Sequence, residues 1–313
     1  MWQYIKYVII FMGGFMKKNI IIFSMFLSFF ACSRNENKVG LPDNPLVIGF
    51  SSSYFEKLTD NDINFLENYF SKDIGLSIKI KKFANSVDLI KDIGASKVDS
   101  GILTLNEYFI ARQDYKVIPI LQAIRGKNEK EYYADLVVLS SNKDINSFND
   151  LKGKKIASRD PYSISGFILP SIFLVKAAIK PEFVFTGSHQ ESLKKLEEGS
   201  VDTASVYEHM VKGDKKFKVI QIMGPVPNEP WICRKNLRKD YCQRIENAVE
   251  SLNKTKEGRE ILLKMADIKS FDKVSPQEYK ELYEIIYNMG KDIYSLVPDS
   301  VVLKKINEPY YFD

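Results

Sequence analysis

KKIASRDPYSISGFILPSIFLVKAAI, residues 154–179, passes from a short apolar run into a polar turn and then into a long apolar segment. The first run reads as a strand and the last as a helix. A strand that feeds a helix leaves the first helical N–H groups without partners. The small residues Ser163, Ser165 and Gly166 fall at that junction, where hydroxyls either cap those groups or share them with an anion. The same alternation recurs on both sides. Upstream, LVIGFS, DINFLENYFSKDI, LSIKIKKF, SVDLIKDIGAS, VDSGILT, NEYFIARQ and VIPILQAI read as strand, helix, strand, helix, strand, helix and strand. Downstream, EFVFTG, HQESLKKLEEGS, VDTASVY and KVIQIMG give strand, helix, strand and strand, and the chain from Lys239 onward is helical. Two series of this kind predict an α/β molecule of two doubly wound lobes, mainly parallel in pairing, that face each other across a cleft.

Composition excludes several classes. The 313 residues are 45% hydrophobic and 27% charged, in the globular range. A net charge of +5 comes from scattered lysines without a basic stripe, so no nucleic-acid partner is expected. There are two histidines, His189 and His209, neither with a partner at metal-ligand spacing, and no metal or cofactor is expected. LKGKKIA lacks the first glycine and the hydroxyl of a phosphate loop, and YSISG lacks the first glycine of a nucleophile elbow. Catalysis is unsupported.

MKKNIIIFSMFLSFFACS, residues 16–33, has the basic start, short apolar core and small residue of an export signal, with Cys32 directly after Ala31. That cysteine resembles the acylated first residue of a bacterial lipoprotein. Met16 then reads as the start, with Met1–Phe15 an upstream extension. The expected organisation is a signal over 1–32, a polar tether over 33–45, one lobe from 46–138 plus 232–313, and a second lobe from 139–231. In an exported chain, Cys233 and Cys242 either pair or stay as free thiols.

Three turns in combination carry more than any one of them. SFNDLKGKKIASRDPYSISGF (147–167), FVFTGSHQESLKKLEEGSVDTASV (183–206) and GPVPNEPW (224–231) resemble, in order and spacing, the phosphate/phosphite/phosphonate-binding proteins of ABC importers, the PhnD-like group. The resemblance implies a type II periplasmic-binding-protein fold, two α/β lobes joined by two crossing strands. It also implies a small anionic ligand, a permease as partner, a lipid anchor at the membrane and action as a monomer. Residue by residue, it implies ligand contacts from Ser163, Ser165, the amides around Ile164 and Gly166, and His189. Tyr108 matches a family tyrosine, and Glu229 an acid that receives an ammonium group or a proton. Two positions depart from the pattern: Ile164 replaces a threonine, and Ser86 stands where a tyrosine is usual. With Tyr162 and Trp231, these changes favour an alkyl-bearing ligand or an organic cation. Two rivals follow: the same fold kept as a sensor or surface-interaction lipoprotein, and an enzyme on this fold.

Overall fold

LVIGFS forms the strand Leu46–Ser51 (β1), buried along nearly its whole length as an apolar strand covered on both faces must be. The computed structural model describes residues 38–161 and 163–293, so the expectations for the signal, Cys32 and Tyr162 lie outside the described residues. β1 pairs in parallel with Ile78–Phe83 (β2), from Leu46 opposite Ile78 to Ser51 opposite Phe83. In β2 Ile78, Ile80 and Phe83 face inward, and the lysines between them protect an edge strand. Between the two lies the helix Asp60–Ile74 (α2), which follows the short helix Ser52–Phe55 (α1). A Thr59–Asp62 capping box starts α2, left-handed Gly75 ends it, and Ile63, Leu66, Phe70 and Ile74 make its buried stripe.

The first sheet has the order β2, β1, Ser100–Ile102 (β3), Pro230–Cys233 (β10), Ile118–Ile124 (β4) and Ser270–Lys273 (β11). β10 arrives after the chain has built the other lobe, and it runs antiparallel to both β3 and β4. The second sheet repeats the scheme: Glu182–Phe185 (β7), Lys155–Ser158 (β6), Thr203–Tyr207 (β8), Glu131–Leu139 (β5) and Phe217–Pro227 (β9). Here β5, fresh from the first lobe, is the antiparallel insert between β8 and β9. The expectation of mainly parallel sheets is corrected accordingly. A strand contributed by a crossing cannot be recognised as antiparallel from its own residues.

Lobe 1 adds the helices Ser86–Gly94 (α3) and Leu105–Tyr115 (α4); lobe 2 holds Leu169–Lys176 (α5) and His189–Glu197 (α6). The chain closes with Lys239–Ser251 (α7), Lys256–Ala266 (α8) and Lys280–Ile293 (α9). Trp231 sits in the lobe 1 core edge-on to Phe50 and Phe271, its indole N–H donating to Ser100 Oγ (2.9 Å). It is therefore a core residue rather than a pocket wall.

Two expected boundaries move. The tether was expected to run to residue 45, but Val39 is already buried, and Gly40 accepts from Ser77 N–H (2.7 Å), so residues from Val39 onward already belong to the fold. The lobe boundary was expected at 138/139 and 231/232; β5 places residues 131–138 in the second sheet, and the crossings lie at 125–130 and 228–229. The crossings are tied to each other. Gln122 Nε2 donates to the Lys130 (2.9 Å) and Asn228 (3.4 Å) carbonyls, Asn228 Nδ2 donates to the Glu129 carbonyl (2.8 Å), and Tyr279 OH donates to the Asn228 carbonyl (3.0 Å).

Candidate functional site

The polar turn of lobe 2 is built on the carboxyl end of β6. Ser163 is the N-cap, its Oγ accepting from Gly166 N–H at 3.0 Å. Residues Ile164–Ile168 form one wide π turn before α5 begins, so the expected continuous helix has an irregular first turn. Glycine is required at 166, where a Cβ would meet Ser163 Oγ at 2.8 Å. Two buried serines hold the turn from below: Ser158 Oγ donates to the Gly166 carbonyl and Ser205 Oγ to the Ser165 carbonyl, both at 2.7 Å. The Ser165 side chain is buried and hydrogen-bonded to Tyr132. Ile164 turns its side chain into the core, beside Phe167 and Leu169.

His189 opens α6 and is 8% exposed, its ring edge-on to Tyr207 at 5.2 Å. Burial, reinforced by the Arg159 charge, pulls its imidazole down to about 4 against a hydrogen bond to the Ser205 backbone. At neutral pH the ring is therefore uncharged, and Nδ1 has no partner among the described residues. Arg159, half exposed, follows β6 directly and pairs with Asp160 at 3.0 Å.

A second cluster sits at the crossings and the adjoining part of lobe 1. Arg125, just after β4, lies 2.6 Å from Glu229 through Nη1, and its Nε donates to the Ala266 carbonyl at 2.9 Å. Both side chains of this pair are about four-fifths buried, 22% and 20% exposed. Nearby, Glu107 is 2% exposed and accepts from Ser86 Oγ (2.6 Å) and Thr104 N–H (2.8 Å). Tyr54 is buried close to these acids: its hydroxyl is pushed well above the usual tyrosine range by burial, then by Glu229 and Glu107. Tyr132 marks where the walls meet. Burial and then Glu229 raise its hydroxyl, while Arg125 of lobe 1 and Arg159 and Ser165 of lobe 2 work in the other direction.

Of the residues singled out in the sequence, Ser163, Ser165, Gly166 and His189 converge on the lobe 2 wall. Ser86 is committed to Glu107, and Glu229 to Arg125. Tyr108 is fully buried against Tyr279 (ring centroids 4.9 Å), its hydroxyl has no hydrogen-bond partner among the described residues, and burial pushes it up to about 12. Its helix, α4, turns that position toward the apolar interior. Cys233 and Cys242 form a disulfide with Cα atoms 6.2 Å apart, joining β10 to α7. Tyr54, Glu107, Arg125, Tyr132 and Arg159 escaped sequence reasoning. Thr104-x-x-Glu107 carried a legible capping box, and Arg125 and Arg159 each directly follow a buried strand; the tyrosines carry no local signal. Among the described residues no group of three or more His, Cys, Asp or Glu is placed to hold a metal, and no helix is long and apolar enough to cross a membrane.

Two α/β lobes, each with one antiparallel strand donated by a crossing, make the type II periplasmic-binding-protein fold. Residues 48–279 match the family of phosphonate periplasmic substrate-binding proteins of ABC transporters, and the chain belongs to that family. It is a family of transport proteins that work outside the cytoplasm, not of enzymes. A curated relative, the probable ABC transporter phosphite-binding protein PhnD1 of Prochlorococcus marinus, is 21% identical over 88% of this chain and 97% of its own length. The crystal structure of PhnD1 in complex with methylphosphonate has a TM-score of 0.62 at 20% identity, covering 81% of this chain and 99% of that one. XAC2383 from Xanthomonas citri, bound to ATP, has a TM-score of 0.66 at 17% identity, covering 80% and 98%.

Proposed function

We propose that this chain is the solute-binding lipoprotein of an ABC importer, that it holds phosphite, phosphate or a phosphonate between its lobes, and that it works as a monomer. The observation that carries the reading is the lobe 2 turn. Ser163 and Ser165, with the amides of an irregular first turn, lie beside an uncharged histidine, a tyrosine hydroxyl and Arg159. Neutral hydroxyls and amides at a helix start bind an anion reversibly, and one nearby guanidinium adds charge without closing the site permanently. Ser163, Ser165, Gly166, His189 and Tyr132 are the proposed ligand contacts.

Isothermal titration of the intact protein with phosphite, phosphate and methylphosphonate tests the reading. One of them binds with a dissociation constant in the micromolar range or below, and at about 100 times that constant it adds about 2.7 kcal/mol of stability. Absence of binding by all three rejects it. Acylation at Cys32 is tested separately: Cys32→Ala releases the protein from the detergent phase, and continued retention points to an uncleaved anchor. The sensor reading draws support from Ser86, whose hydroxyl is committed to Glu107. Capture of a protein partner by a chain that binds no phospho-ligand would favour it.

A further inference from the structure

The geometry points to a selectivity within that site: we infer that the cleft accepts phospho-anions that lack an ammonium group and rejects aminoalkyl phosphonates, because Glu229 is already neutralised from within the protein. The inference rests on the phospho-ligand reading above. An ammonium group needs a carboxylate with an open face and no cation already at hand. Glu229 acts on the Tyr132 hydroxyl beside Ser165, and Arg125 occupies it at 2.6 Å. That arginine is itself fixed, because its Nε is held by the Ala266 carbonyl. Glu107 has one oxygen on Ser86 and the other on Thr104 N–H, and is almost completely buried. Asp160 lies on Arg159 at 3.0 Å. A ligand ammonium entering beside Glu229 would meet a guanidinium first. A plain anion would find that same guanidinium, and Arg159 across the cleft, favourable.

The discriminating experiment compares methylphosphonate with 2-aminoethylphosphonate by titration calorimetry at pH 7, on the intact protein and on Arg125→Met. The unaltered protein is expected to bind methylphosphonate about 100-fold more tightly or better, and Arg125→Met, by freeing Glu229, to shrink the gap by about tenfold or more. Equal or tighter binding of 2-aminoethylphosphonate to the unaltered protein overturns the inference, as does an unchanged gap in folded Arg125→Met. Should that variant fail to fold, Glu229→Gln decides. Methylphosphonate affinity that holds or rises supports Glu229 as Arg125's partner, whereas a loss beyond about tenfold makes it a ligand group and overturns the inference. If neither compound, nor phosphite, nor phosphate binds the unaltered protein, the phospho-ligand reading fails and the selectivity with it, an outcome distinct from the others.

Discussion

The two lobes share a strand order but handle charge in opposite ways. Lobe 1 and the crossings bury charges as closed pairs: Arg125 with Glu229 at the crossings, and Arg234 with Asp99 at 2.8 Å, where Asp99 also accepts from Val47 N–H at 2.7 Å. The lobe 2 wall offers uncharged groups, Ser163, Ser165, Tyr132 and neutral His189, with a single half-exposed arginine. Topology therefore does not dictate wall chemistry. One lobe spends its ionic groups on holding itself and the crossings together, and the other keeps donors available.

The comparison is most easily broken at Asp99. Asp99→Ala leaves Arg234 buried beside an empty position, and a loss of about 3–5 kcal/mol is expected in denaturant unfolding; a loss under 1 kcal/mol would mean lobe 1 does not depend on its closed pairs. Next in size is Ser163→Ala with Ser165→Ala. Loss of two hydroxyls should weaken phospho-ligand binding by about 100-fold, while the cap at Ser163 accounts for only about 1 kcal/mol of stability. Intact affinity in the double variant would move the anion site away from lobe 2.

Asp135 sharpens the contrast from inside lobe 2. It is 5% exposed on β5, and burial, then the Glu208 carboxylate, pushes it up to about 6. The folded state thus holds this proton more tightly than the unfolded chain, so folding is penalised as pH rises through about 4 to 6, and the penalty is complete at pH 7. Asp135→Asn should stabilise by up to about 2 kcal/mol at pH 7 and by nothing below about pH 4. A gain that persists in acid would locate the effect in packing instead. The smallest effect is expected from Ser86→Ala, which removes one hydrogen bond to Glu107 and costs about 1–2 kcal/mol of stability with ligand affinity unchanged. A drop in affinity would return Ser86 to the site.

Much of the architecture could be read from alternating periodicity, since strands such as β1 and helices such as α2 state their faces in their own residues. The polar turns of lobe 2 were equally legible, because a cap and its glycine lie within a few positions. What escaped depends on meetings between distant segments. Arg125 and Glu229 lie 104 positions apart, and neither resembles an ion-pair partner until β4 and β10 are side by side. Tyr108 was tied to the ligand by the family resemblance alone, and its local sequence does not reveal that its helical face meets Tyr279. Val39 looked like tether because two apolar residues, Val39 and Leu41, in a polar stretch are too few to set a period.

The ties around Asn228 have a mechanical consequence. Two independent connectors would let the lobes bend, twist and slide past each other. Cross-linked side by side through Gln122, Asn228 and Tyr279, the connectors act as one ribbon, which resists sliding and leaves bending across its width as the soft direction. Free energy spent on moving one lobe against the other is then directed into that one motion.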